Sequence, residues 1–195
     1  MRYKAILFDM DGTLLDTLTD MADAVNHILS VHGWPLRTTE EVRAFVGNGA
    51  RRLMERAVPP EVTGGDFEAV LTEYRDWYQA HNCVATAPYP GIPALLAALA
   101  EAGIKTAVVS NKPDATTKTL AARFFPGLPA FGQRDDVPPK PAPDLVFRAL
   151  ETLGVDAADA IYVGDSEVDV ATARNAGLPL AAVSWGFRGR RALAE

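Results

Sequence analysis

At 195 residues the chain can bury a sizeable core, as one domain or as a domain with an insert. Its 48% hydrophobic and 23% charged residues are the composition of a globular protein, and a formal net charge of -6 leaves no basic surplus for phosphate backbones. Nucleic acid and anionic membranes are therefore excluded as expected partners. No signal-peptide core and no membrane-spanning run is visible, so a cytoplasmic location is expected. Cys83 is the single cysteine, which rules out an intrachain disulfide or a cysteine zinc cluster.

The first element is an apolar run, Ala5 to Phe8, that ends on Asp9 and is followed two residues later by Asp11. Side chains two apart on an extended chain point the same way, so two carboxylates are expected to crowd one spot and repel. From Asp16 to Cys83 there is no convincing strand. Val25, Ile28, Leu29 and His32 follow helical spacing, as do Phe67, Val70, Leu71, Tyr74, Tyr78 and His81, with two shorter helical patterns between them. The proline-rich stretch Ala85 to Gly91 leads back to a strand-and-helix rhythm. A helix ending at Gly103 precedes the strand Ile104 to Ser110, and helices starting at Asp114 and Asp144 follow, the second stopping at Gly154. Ala160 to Gly164 and Pro179 to Trp185 read as two more buried strands. The fold class is α/β, a doubly wound and mostly parallel sheet with a Rossmann-like core and an inserted all-helical cap. The expected division is residues 1–15 and 86–195 for the core and 16–85 for the cap, a lid over the carboxyl end of the first strand.

Polar residues gather where the strands end. Ser110, Asn111 and Lys112 follow the second strand, Lys140 sits among four prolines, and Asp165 and Asp169 follow the strand Ala160 to Gly164. Each also has an ordinary structural use: Asp-Gly is a common turn, and acids favour the first turn of a helix. Jointly they place four carboxylates, a hydroxyl and an ammonium at the carboxyl edge of one sheet. Crowded hard oxygen ligands suit Mg²⁺, and a lysine and a hydroxyl suit the oxygens of a phosphate. One aspartate of the first pair could attack phosphorus while the other passes a proton to the departing oxygen.

The ordered set DMDGT, VVSNK, KPAPD and GDSEVD resembles the haloacid dehalogenase superfamily of Asp-nucleophile phosphatases over nearly the whole chain. The resemblance implies Asp9 as nucleophile and Asp11 as general acid and then base. It places Ser110, Asn111 and Lys140 on the phosphoryl group. Mg²⁺ is implied on the Asp9 carboxylate, the Asp11 backbone carbonyl and Asp165, with Asp169 a ligand directly, through water, or just outside the direct ligands. Dehalogenases of the superfamily lack the second Asp of the first motif, so Asp11 points to phosphoryl chemistry.

The helical insert is similar to the small cap of this superfamily, and Phe45 to Val58 resembles a stretch of phosphoglycolate phosphatases. That implies a closing loop of Gly47, Asn48 and Gly49, with Arg51 or Arg52 near enough to meet a substrate carboxylate; an ordinary loop entering a helix fits the same residues. Proteins of this kind usually continue past "WGF" with a further strand and helix, whereas this chain stops at "RGRRALAE". The expected activity is Mg²⁺-dependent hydrolysis of a small phosphomonoester, 2-phosphoglycolate first, by a monomer or homodimer. The alternatives are a phosphosugar mutase of the beta-phosphoglucomutase type, a pyrophosphatase or nucleotidase and, from another class, a receiver-like phosphoacceptor. A receiver needs neither the long helical insert nor an acid two residues beyond its phosphoacceptor.

Overall fold

The structure, a computed structural model, describes residues 3–188. In chain order the elements are β1 (Ala5–Phe8), β2 (Leu15–Asp16), α1 (Leu18–Val31), α2 (Thr39–Phe45), α3 (Gly49–Ala57) and α4 (Gly64–His81). They continue with β3 (Ala87–Pro88), α5 (Ile92–Glu101), β4 (Lys105–Pro113), α6 (Asp114–Phe124), β5 (Ala130–Gln133), α7 (Asp144–Leu153), β6 (Ala160–Gly164), α8 (Glu167–Ala176) and β7 (Leu180–Ala182). Two compact units result, one running to Asp16 and again from Pro88, the other spanning Thr17–Ala87. The C-terminal tail beyond Arg188, where the sequence departs from the family pattern, lies outside the described residues.

In the first unit, β1 sits at the centre of a five-stranded sheet ordered β5-β4-β1-β6-β7, parallel at each pairing. Parallel strands joined by crossover helices are covered on both faces, which is why these runs are apolar without alternation. Leu7 pairs with Ala107 of β4 and Tyr162 of β6, and all three are wholly buried in one row. Leu145, Val146, Ala149 and Leu150 of α7 and Ala173 and Ala176 of α8 complete that core. Phe8 stands level with Val108 and Val163, so the chain leaves all three central strands at one edge.

The sheet departs from the sequence reading in three places. β5 was not anticipated: Ala130 to Gln133 is a short, half-buried run whose pairing comes entirely from β4. β4 continues past Ser110 to Pro113, with a register shift between Val109 and Pro113. β7 shrinks to three residues, because Ser184 and its neighbours turn away from the ladder.

The second unit is four helices. Buried Met21, Val25, Ile28 and Leu29 line α1, and Phe67, Val70, Leu71, Tyr74 and Tyr78 line α4, against which α1 packs. Thr38 and Glu41 form a capping box that starts α2. His27 and His81 stack on either side of Trp77, at 4.7 and 4.0 Å, and His32 stacks on Trp34 and meets Glu73 at 2.7 Å. All three histidines are exposed and pack on the surface of this unit. Buried Asp20 accepts the backbone N–H groups of Val84, Ala85 and Thr86 at 3.1, 2.8 and 2.9 Å, fastening the chain where it leaves α4. Asp20→Ala leaves one buried and two part-buried donors without that acceptor. The expected loss is about 3 kcal/mol, read as a lower denaturant midpoint with an unchanged slope.

Candidate active site at the strand ends

β1 ends where Asp9 still donates its N–H to Val163 O at 2.9 Å. The chain then folds back: Thr13, Leu14 and Leu15 all direct their N–H groups at Met10 O. Gly12 has φ +85°, and a Cβ there would collide with the Asp165 carboxylate, so both the turn and its neighbour require glycine. Each carboxylate of this turn meets a buried lysine. Asp9 Oδ1 meets Lys140 Nζ at 2.8 Å, whereas Asp11 Oδ1 meets Lys112 Nζ at 3.2 Å.

Lys140 is held by more than its prolines. The two ends of the Asn111 amide grip its backbone, Nδ2 donating to Lys140 O at 3.0 Å and Oδ1 accepting from Lys140 N at 2.7 Å. The Lys140 ammonium, with a side chain 3% exposed, donates to Asp9, to Asp169 Oδ1 at 2.8 Å and to Tyr162 Oη at 3.0 Å. Burial works against its charge, but the Asp169 and Asp9 carboxylates hold its pKa well above the ordinary lysine range. Tyr162 is pushed up by burial, so its hydroxyl keeps its proton and donates it to Val109 O at 3.0 Å.

Asp169 does two jobs at once. Its Oδ2 accepts from Ser166 Oγ at 2.6 Å and Ser166 N at 3.1 Å, capping α8, while Oδ1 faces Lys140. Asp169 thus serves the start of α8 with one oxygen and faces Lys140 with the other. A Cβ at Gly164 would strike the Asp169 carboxyl group, so the end of β6 has no room for a side chain there. Asp165 accepts from Phe187 N at 2.7 Å and from Thr13 Oγ1 at 3.5 Å.

Asp9, Asp165 and Asp169 each offer a carboxylate oxygen within 4.8 Å of the others, all buried. Asp11 contributes no carboxylate to that group. Burial first, then Lys140 in opposition and the neighbouring aspartates in support, leaves Asp9 well above the usual carboxylate range. Burial and Asp169 push Asp165 up to about 6. Three buried hard-oxygen donors, of which Asp9 and Asp165 are held back from ionising, are a set that a divalent cation fits. The same physics sets a pH dependence. The Asp165 pKa lies above its unfolded value near 3.8, so its contribution is favourable at low pH and is lost as pH rises through about 6. Cation-free protein is thus expected to lose up to about 3 kcal/mol between pH 4 and 7.5 from this group. Thermal midpoints in chelator should fall over that range, and Asp165→Asn should flatten the slope.

At the end of β4, buried Ser110 accepts the Lys112 N–H on its Oγ at 3.2 Å, which leaves its hydroxyl hydrogen directed elsewhere. Asn111, expected on the phosphoryl group, lies beside Ser110 with its amide on the Lys140 backbone. Lys112 was expected at the strand end but given no role, and Tyr162 was absent from the expected site. A lysine closing an apolar strand, and a hydroxyl inside the buried run AIYVG, were the available signals. In the helical unit, Gly47 has φ +119°, Gly49 begins α3 and Asn48 precedes it. Arg51 forms a two-pronged pair with Glu68 at 2.8 and 2.7 Å and lies over the Phe67 ring, and Arg52 pairs with Glu55 at 2.7 Å. No helix of the described residues is long and apolar enough to cross a membrane.

The family model for haloacid dehalogenase-like hydrolases matches residues 6–183. An N-acetylmuramic acid 6-phosphate phosphatase of Pseudomonas aeruginosa is 35% identical, the match covering 96% of this chain and 84% of that protein. A phosphoglycolate phosphatase of Xanthomonas campestris pv. campestris is 36% identical over 96% of this chain and 86% of its own. Among solved structures, one from Lactobacillus delbrueckii subsp. bulgaricus, provisionally a phosphoglycolate phosphatase, superposes with a TM-score of 0.94 at 36% identity, covering 100% of this chain and 91% of the other. CbbY from Rhodobacter sphaeroides, solved in complex with phosphate, gives 0.75 at 28% identity over 96% and 88%. The chain belongs to the haloacid dehalogenase-like hydrolases, among relatives that are phosphatases.

Proposed function

We propose that the protein is a Mg²⁺-dependent phosphatase that passes the phosphoryl group of a small phosphomonoester to Asp9 and then to water. The observation that carries this reading is Lys140, whose ammonium joins Asp9 to Asp169 inside a buried three-carboxylate group. Asp9, Asp165, the Asp11 backbone carbonyl and, directly or through water, Asp169 would hold Mg²⁺, which would supply positive charge for a phosphate oxygen and favour the ionised form of Asp9 and Asp165. Lys140 and the Ser110 hydroxyl balance the charge on the remaining phosphoryl oxygens.

In the first step an Asp9 carboxylate oxygen bonds to phosphorus as the ester P–O bond breaks. The electron pair of that bond leaves with the alcohol oxygen, which takes a proton from the Asp11 carboxyl group. In the second step Asp11, now a carboxylate, removes a proton from water as the water oxygen bonds to phosphorus. The Asp9–phosphorus bond breaks, inorganic phosphate departs and the Asp9 carboxylate is restored.

2-Phosphoglycolate is the proposed substrate, favoured by the names of the Xanthomonas and Pseudomonas savastanoi relatives. N-acetylmuramic acid 6-phosphate is a second reading, favoured by the Pseudomonas aeruginosa phosphatase. The helical insert is proposed as a lid because it leaves the chain directly after the Asp9–Asp11 turn. In that role the Gly47–Asn48–Gly49 loop meets the substrate. Arg51 joins it only by exchanging Glu68 for a substrate carboxylate.

The test is phosphate release from both esters, beta-glucose 1-phosphate, pyrophosphate, a nucleotide monophosphate and an aryl phosphate, with Mg²⁺ and with chelator. The expected result is many turnovers with Mg²⁺, fastest on 2-phosphoglycolate, and none in chelator. Full activity in chelator removes the metal from the scheme. One phosphate retained per chain without turnover points to a phosphoacceptor, and phosphate moved to a second sugar hydroxyl points to a mutase.

A further inference from the structure

Each carboxylate of the Asp9–Asp11 turn has its own buried lysine, and only one of the two belongs to the site as read from sequence. Lys140 is committed to Asp9, Asp169 and Tyr162. Lys112 meets Asp11 at 3.2 Å, with a side chain only 3% exposed. An ammonium is costly to bury unless a partner fixes it in place. The backbone that carries Lys112 is pinned on both sides. Its N–H donates to Ser110 Oγ at 3.2 Å, and its carbonyl accepts from Thr117 Oγ1 at 3.1 Å. A Cβ on neighbouring Gly132 would come within 2.7 Å of that carbonyl, so the end of β4 is wedged against β5 as well.

We propose that Lys112 is a positioning residue which holds the Asp11 carboxyl group where it hands its proton to the departing alcohol oxygen. The inference rests on the reading of Asp9 as nucleophile and Asp11 as proton donor. A carboxyl group on a turn can rotate about two side-chain bonds, whereas proton transfer needs heavy atoms within about 3 Å. An ammonium fixed to the end of a central strand removes that freedom on the Asp11 side, as Lys140 does on the Asp9 side.

The consequence is specific to the leaving group. An acidic phenol departs as its anion without help, whereas a more basic one departs only as a proton arrives. Lys112→Met is therefore expected to lower kcat/KM steeply for phenyl phosphate and little for 4-nitrophenyl phosphate. kcat/KM covers only the steps up to departure of the alcohol, so later hydrolysis at Asp9 does not blur the comparison. Across substituted phenyl phosphates the plot of log kcat/KM against leaving-group pKa should steepen, by about 10-fold or more in rate over the series. Lys112→Arg should restore part of the slope. Asp11→Asn should show the steep slope already, and adding Lys112→Met to it should change little. That double variant removes both charges of the pair and so serves if Lys112→Met alone fails to fold. An equal fall on every ester, or multiplicative losses in the double variant, overturns the inference. A wild-type protein that releases phosphate from none of these esters overturns the phosphatase reading itself, which is a separate outcome.

Discussion

Asp9→Asn is expected to lower phosphate release by at least about 1,000-fold, equivalent to about 4 kcal/mol of transition-state stabilisation. The amide keeps the shape of the side chain and the contact with Lys140 but has no oxygen able to bond to phosphorus and later leave. Stability should tell the same story with the opposite sign. Asp9 is buried against Asp169 and Asp165, which together with burial hold its carboxyl group well above the usual range. A neutral side chain there relieves that crowding. The cation-free variant should therefore melt no lower than wild type at pH 7.5. Undiminished turnover by Asp9→Asn would sink the nucleophile assignment, and a much lower melting temperature would show that Asp9 is needed for the fold.

Lys140→Met should damage both stability and activity. The ammonium is the one cation that bridges Asp9 and Asp169 among the described residues, and it also donates to Tyr162. Removing one partner of a buried pair leaves uncompensated charge, at about 3–5 kcal/mol. The loss should be smaller at pH 5 than at pH 8, because in acid the carboxylates escape by taking up protons. Turnover should fall by about 1,000-fold or more, since both the attacking carboxylate and the phosphoryl oxygens lose their counter-charge. Urea unfolding at the two pH values, alongside phosphate release with saturating Mg²⁺, separates the two effects. Wild-type stability at pH 8 would show that Asp9 and Asp169 find another partner.

Much of the architecture was legible because it follows from local rules. Apolar runs of strand length, each closed by a polar residue and separated by helices with glycine stops at Gly103 and Gly154, can form little except a parallel sheet with crossovers. That pattern also placed Asp9, Ser110 and Asp165 at a shared edge, since parallel strands release the chain on one side. The helical stretch between Asp16 and Cys83 was legible from its 3.6-residue periodicity and its lack of any strand. β5 was not, because Ala130 to Gln133 carries no pattern of its own and becomes a strand only by pairing with β4.

The Asp9–Asp11 turn marks where sequence stops being enough. Residue order determined that two aspartates would stand side by side at the end of a buried strand, and that a hydroxyl, lysines and more carboxylates would follow at other strand ends. Only the tertiary structure decided how those charges pair. Lys140 reaches Asp9 across 131 residues, Asn111 turns to the Lys140 backbone, Tyr162 lends a hydroxyl from inside a strand, and Lys112 takes Asp11. The reason is physical. Spacing along a chain fixes which side chains share a face, but the partner of a buried charge depends on which strands lie side by side and in what register. The order β5-β4-β1-β6-β7 puts β4 on one flank of β1 and β6 on the other, and so supplies Lys112 from one side and Asp165 and Asp169 from the other.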